Sequence, residues 1–94
     1  MYLLTVTHLA SSKATTQYYT DDSLHGLATI LDRAVQEAKL HGAKYYTFNG
    51  APIHAIKVYA TASMNPPTAF SDVSITASMD RLTLMEATIT LMEE

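Results

Sequence analysis

Asn49-Gly50, set between Tyr45-Tyr46-Thr47-Phe48 and Ala51-Pro52-Ile53, restricts the fold of this chain more than any other feature. A type I′ turn needs positive φ at both central positions, and Asn-Gly meets that requirement at the least steric cost. Its twist also matches the twist of the flanking strands. Residues 45–61 therefore predict a β-hairpin with arms Tyr45–Phe48 and Pro52–Thr61. In the second arm His54, Ile56, Val58 and Ala60 alternate with Ile53, Ala55, Lys57 and Tyr59, a period of two.

The same period appears at the N-terminus. Tyr2, Leu4, Val6 and His8 fall on one face of residues 2–9, and Leu3, Thr5, Thr7 and Leu9 on the other. A polar turn over 10–14 leads to a returning strand over 15–20. A helix follows over about residues 22–41. Asp21, Asp22 and Ser23 offer N-caps and favourable charge at its start. Leu24, Leu27, Leu31, Ala34, Val35 and Ala38 form one apolar stripe, Arg33 and Glu37 sit one turn apart on the exposed side, and His41-Gly42 ends it.

Pro66-Pro67 marks residues 63–71 as a loop. Val73, Ile75, Ala77 and Met79 alternate, so 72–79 reads as a strand. Residues 81–92 carry two patterns: Leu82, Met85, Ile89 and Met92 fit a helical stripe, whereas Met85, Ala87, Ile89 and Leu91 alternate with Glu86, Thr88 and Thr90. Ala87-Thr88-Ile89-Thr90 is poor helix material. The preferred reading is a strand with a bulge near Leu84-Met85. The expected fold is thus α+β: an antiparallel sheet of about five or six strands with one amphipathic helix on a face, in a single domain over 1–94.

Composition agrees with this plan. Ninety-four residues hold one core, which should bury roughly 60–70% of the unfolded surface. Charged residues are only 16% of the chain, against about 25% in typical domains. Thirteen threonines and six tyrosines take over much of the polar role, and both types favour pleated, half-buried surfaces. The absence of cysteine excludes disulfide frameworks, zinc fingers and thiol catalysis. "MYLLTVTHLA" has no basic leader and no long apolar run, so the expectation is a soluble, cytoplasmic protein. Residues 1–60 carry five basic and four acidic side chains; residues 61–94 carry Arg81 against five acids. No two basic residues are adjacent, so nucleic-acid binding is not expected.

Chemistry-bearing constellations are sparse. His8 and His54 both fall on apolar faces and would be neighbours if their strands paired, but no metal-ligand spacing surrounds them. His41 suits a helix C-terminus, and His25 reads as surface. No serine sits in a nucleophile motif, Asp21-Asp22 reads as capping, and the three glycines form no phosphate loop. Neither an enzyme, a metal nor a cofactor is expected. The tyrosines stand out instead. Alternation turns one of Tyr18 and Tyr19 outward, together with Tyr45, Lys57 and Tyr59. Such rings give large contact area at low entropic cost, which makes these residues the partner-binding candidates.

In size and in its β–helix–hairpin plan the chain resembles the small accessory proteins of bacteriophages and other mobile elements, anti-CRISPR inhibitors among them. That resemblance implies a non-enzymatic, stoichiometric inhibitor or adaptor that occludes a site on a protein partner in a bacterial host. The alternative is a homo-oligomer that sequesters a small molecule or nucleotide, with tyrosines stacked on a base and Lys57, Lys44 or Arg81 meeting phosphate. A homodimer is expected, formed through strand 81–92 if that strand lies at the sheet edge.

Overall fold

The computed structural model describes residues 1–9 and 13–92; residues 10–12 of the expected 10–14 turn lie outside this set. Six strands and two α-helices follow in the order β1 (Tyr2–His8), β2 (Thr15–Asp21), α1 (Leu24–Leu40), β3 (Tyr45–Phe48), β4 (Ala51–Ile53), α2 (Val58–Met64), β5 (Val73–Met79) and β6 (Leu82–Leu91). The strands form one antiparallel sheet in the order β2-β1-β6-β5-β3-β4. The expected α+β class, sheet and long helix are all present.

The helix forms where its stripe and its ends agree. Leu27, Ala28, Leu31, Ala34, Val35 and Ala38 are buried, at the spacing of one helical face. Ser23 occupies the N-cap position without a side-chain cap, and its backbone N–H donates to Asp21 Oδ1 at 2.8 Å. At the far end Ala43 N–H donates to Ala38 C=O (3.0 Å) and Gly42 N–H to Lys39 C=O (3.1 Å). This is the paired bonding of a Schellman motif, and it needs the φ of +103° that Gly42 adopts.

The sheet presents its inner face to α1. Rows run across strands in register: Gln17–Val6–Ala87–Ile75–Phe48–Ala51 is one, and Tyr19–Leu4–Ile89–Val73 the next. Leu4, Leu27, Leu31, Ile75, Met85 and Ile89 are the largest fully buried side chains, and α1 and three strands supply them. Truncating any of these to alanine removes contacts worth about 2–5 kcal/mol.

The bulge expected near Leu84-Met85 is present. Ala77 pairs with Met85 and Ser78 with Thr83, so Leu84 is an extra residue in β6. Its carbonyl accepts from Leu9 N–H at 2.8 Å, and Leu84 and Met85 are both buried. One inserted residue thus shifts the alternation between the two halves of the strand.

Two expectations are corrected. The hairpin's second arm does not run to Thr61: β4 stops at Ile53, a 3₁₀ turn covers Ala55–Lys57, and α2 follows. Ala55, Val58 and Ala62 are the buried positions, a three-and-four spacing that the apparent alternation over 53–60 concealed. Packing of α2 against α1 overrides the strand preference of Ile56, Val58 and Tyr59. Strand 81–92 is also not an edge. β6 pairs with β1 on one side and β5 on the other, so its backbone has no open side for a twin strand.

The Asn49-Gly50 turn has the expected geometry, with φ of +52° and +82°. Asn49 is further tied to β5: its N–H donates to Ser74 C=O (2.7 Å), and its Oδ1 accepts from Ser74 N–H (2.8 Å). A Cβ at Gly50 would meet nothing within 4 Å, so substitution there tests backbone conformation alone. Gly50→Val is expected to cost about 1–2 kcal/mol and Gly50→Asn distinctly less. Denaturant midpoints measure the difference, and equal midpoints would refute the positive-φ requirement.

Candidate functional site

With both helices on one side, the opposite face of the sheet is left uncovered. Alternation delivers hydroxyls to it. Thr16–Thr7–Glu86–Thr76–Thr47–Pro52 forms an unbroken row across all six strands, and Tyr18–Thr5–Thr88–Ser74 lies beside it. Glu86 is the single charge in these two rows. Thr7 and Thr16 hydroxyls bond at 3.3 Å, and Thr47 bonds to Thr76, the cross-strand pairing that threonine favours. The threonines noted in the composition are largely explained by this surface.

Tyr18 is 69% exposed and Tyr45 56% exposed on this face; Tyr45 was expected to point outward, and of Tyr18 and Tyr19 it is Tyr18 that does. Tyr19 turns inward, half-buried against the core, and its phenol donates to Gln17 Oε1 at 2.7 Å. The rings do not form one continuous patch. Tyr18 on β2 and Tyr45 on β3 are four strand intervals apart, about 19 Å at the usual spacing. Lys57 and Tyr59 do not belong to this face at all, because they lie in the 3₁₀ turn and α2.

The connector between β4 and β5 carries a different surface. Ile56 is 81% exposed, Met64 78% and Phe70 99%; Lys57 and Tyr59 belong to the same segment. Phe70 sits in a braced turn. Thr68 N–H donates to Ser71 C=O (2.9 Å), Ser71 N–H returns to Thr68 C=O (3.4 Å), the two hydroxyls bond at 3.0 Å, and Phe70 N–H donates to Thr68 Oγ1 (3.3 Å). Pro67, just before it, is buried and fixes the approach of the chain. Reading 63–71 as a loop overlooked this residue. The available signal was a lone aromatic between Thr68 and Ser71, two residue types that form side-chain-braced turns.

Two concavities flank the helix. One, about 290 Å³, lies between α1 and the inner face of β1 and β2, with Val6 and Ala34 as floor and His8, Gln17, Tyr19, Arg33 and Glu37 around it. The i,i+4 pair Arg33–Glu37 thus faces this groove. The other, about 370 Å³, lies at the C-terminal end of α1, lined by Lys39, Lys44, His54, Ile53, Ile56 and Tyr46. His8 and His54 are not neighbours. β6, β5 and β3 separate β1 from β4, so the strand pairing that would have made them neighbours does not occur. Among the described residues no group of three His, Asp or Glu side chains is placed to hold a metal ion, and no helix is long and apolar enough to cross a membrane.

Comparison of the chain with protein-family models, with curated proteins and with solved structures gives no match.

Tyr46 forms the wall of the second cavity. It is buried, its phenol donates to Ala43 C=O at 3.1 Å, and burial pushes its pKa above the usual 10. The folded state therefore holds this proton more tightly than the unfolded chain. The associated stability is complete below pH 10 and declines as pH rises through the higher folded value. Tyr46→Phe is expected to cost about 1 kcal/mol at neutral pH and to lose stability less steeply above pH 10 than the native chain. Unfolding midpoints from neutral to alkaline pH check this; parallel declines would show that Tyr46 has no part in it.

Proposed function

We propose that the protein works by binding, as a stoichiometric inhibitor or adaptor that occludes a site on a protein partner, with Phe70 as the inserted anchor. One observation carries this reading: an almost fully exposed phenylalanine on a turn held by four hydrogen bonds. A scattered exposed apolar side chain needs no explanation. Here, however, the backbone beneath it is already ordered. Binding then avoids much of the cost of immobilising a loop, and interfaces concentrate their energy in a few such aromatic anchors. Ile56, Met64, Tyr59 and Lys57, on the same connector, supply the surrounding contacts. The acidic balance of residues 61–94 suits a partner with a basic rim. The resemblance in size and plan to the small accessory inhibitors of mobile elements supports a setting in the cytoplasm of a bacterial host.

A second reading has its own observation. Lys39, Lys44 and His54 line one cavity with no carboxylate among its lining residues, in a chain of net charge −3. Such a cavity suits a small phosphate-bearing ligand with an apolar body against Ile53 and Ile56. A thermal-shift screen against inorganic phosphate and nucleotides tests it, because a ligand at a hundredfold its Kd adds about 2.7 kcal/mol.

For the leading reading, the tagged protein is used to capture its partner from a bacterial lysate, and affinity is measured on variants. Phe70→Ala is expected to weaken binding by about 2 kcal/mol or more while leaving the unfolding midpoint nearly unchanged. Tyr45→Ala serves as the comparison. If Tyr45→Ala abolishes binding and Phe70→Ala does not, the working surface is the uncovered sheet face instead.

A further inference from the structure

The two edges of the sheet are built differently. β4 is three residues long and contains Pro52, which removes a backbone donor; short strands and prolines are ordinary protections of a sheet edge. β2 has neither protection. It spans seven residues, Thr15–Asp21, pairs with β1 in an uninterrupted register, and contains no lysine, no proline and no bulge. Its one charge is Asp21, the last residue. Apart from Tyr19 and Asp21, its side chains are exposed. A long, unbulged, nearly uncharged edge invites another strand.

We propose that this edge is the contact between two copies of the chain, which associate about a twofold axis through antiparallel β2–β2 pairing into a continuous twelve-stranded sheet. Full overlap of both seven-residue strands places the axis at Tyr18. The two Tyr18 rings then meet side by side on the uncovered face. Thr16 lies opposite the partner's Thr20, Gln17 opposite the partner's Tyr19, and Thr15 opposite the partner's Asp21. No like charges are opposed.

The inner face gains as well. Gln17 and Tyr19 line the groove between β2 and α1, with Arg33 and Glu37 on the helix. A twofold perpendicular to the sheet keeps both α1 helices on the same side. The partner's Gln17 and the partner's Tyr19 extend the floor beyond the strand edge, so the two grooves merge into one trough between two helices. Each half of that trough is incomplete without the other copy. This inference rests on strand geometry and does not depend on Phe70 or on any protein partner.

The test uses the purified chain alone. Sedimentation equilibrium is expected to show a monomer–dimer equilibrium. Tyr18→Lys, which opposes two like charges on the axis at an exposed and structurally tolerant position, should weaken it at least tenfold. Tyr45→Lys, the same change on the same face but far from the edge, should leave it unchanged, as should Phe70→Ala. The native chain has no cysteine, so Tyr18→Cys gives an independent readout. Directly opposed residues bring Cα atoms about 4.5–5.5 Å apart, within disulfide range. Tyr18→Cys should form a covalent dimer on mild oxidation, and Tyr45→Cys should not. A native chain that stays monomeric to millimolar concentration overturns the proposal. So does a dimer that survives Tyr18→Lys and fails to cross-link through position 18.

Discussion

The dry contact between the apolar stripe of α1 and the inner face of the sheet is the interaction on which the rest of the molecule depends. Leu27, Leu31 and Val35 are fully buried, and Leu4, Val6, Ile75, Met85 and Ile89 on the sheet are buried with them in one core. Because side chains alternate strictly along a strand, choosing this face for the core commits every intervening residue to the other side. The hydroxyl rows of the uncovered face follow from that choice. Threonine suits the position: its branched carbon favours the extended backbone and its hydroxyl meets water or a neighbour.

A single long helix does not serve the whole sheet. α1 contacts β1, β2, β5 and β6, whereas the β3–β4 hairpin lies beyond it in strand order. The chain between β4 and β5 folds as a 3₁₀ turn and α2, with Val58 and Ala62 turned inward and α2 packed on α1. Extending the helical layer leaves the connector's other residues outside, Ile56, Met64 and Phe70 among them. The surface proposed to meet a partner is in this sense a by-product of how the helical layer is completed.

Register connects the bulge to the core in the same way. Strict alternation would turn the consecutive residues Leu84 and Met85 to opposite faces; the bulge lets both be buried along with Ala87 and Ile89. The insertion lets both sets of apolar residues be buried in a strand that is paired on both sides. The free backbone is left to β2 and β4, and their different lengths and compositions give the molecule one guarded edge and one open edge.

Local chemistry settles much of this protein from the sequence alone. The positive-φ pair Asn49-Gly50, the helix with its Gly42 terminus, the alternation of β1, β5 and β6, and the bulge at Leu84 all lie within windows short enough for periodicity and turn preference to decide. The outward direction of Tyr45 belongs with them, whereas the choice between Tyr18 and Tyr19 fell to the structure. Tertiary structure alone decided that β6 sits in the centre of the sheet, that residues 55–64 are helical, that three strands separate His8 from the strand before His54, and that Phe70 is presented on a braced turn. These outcomes depend on which distant segments pair and which layer must be covered. Strand order is set by contacts between residues far apart in the chain, and a two-residue period over 53–60 cannot register that the space beside α1 remains to be filled.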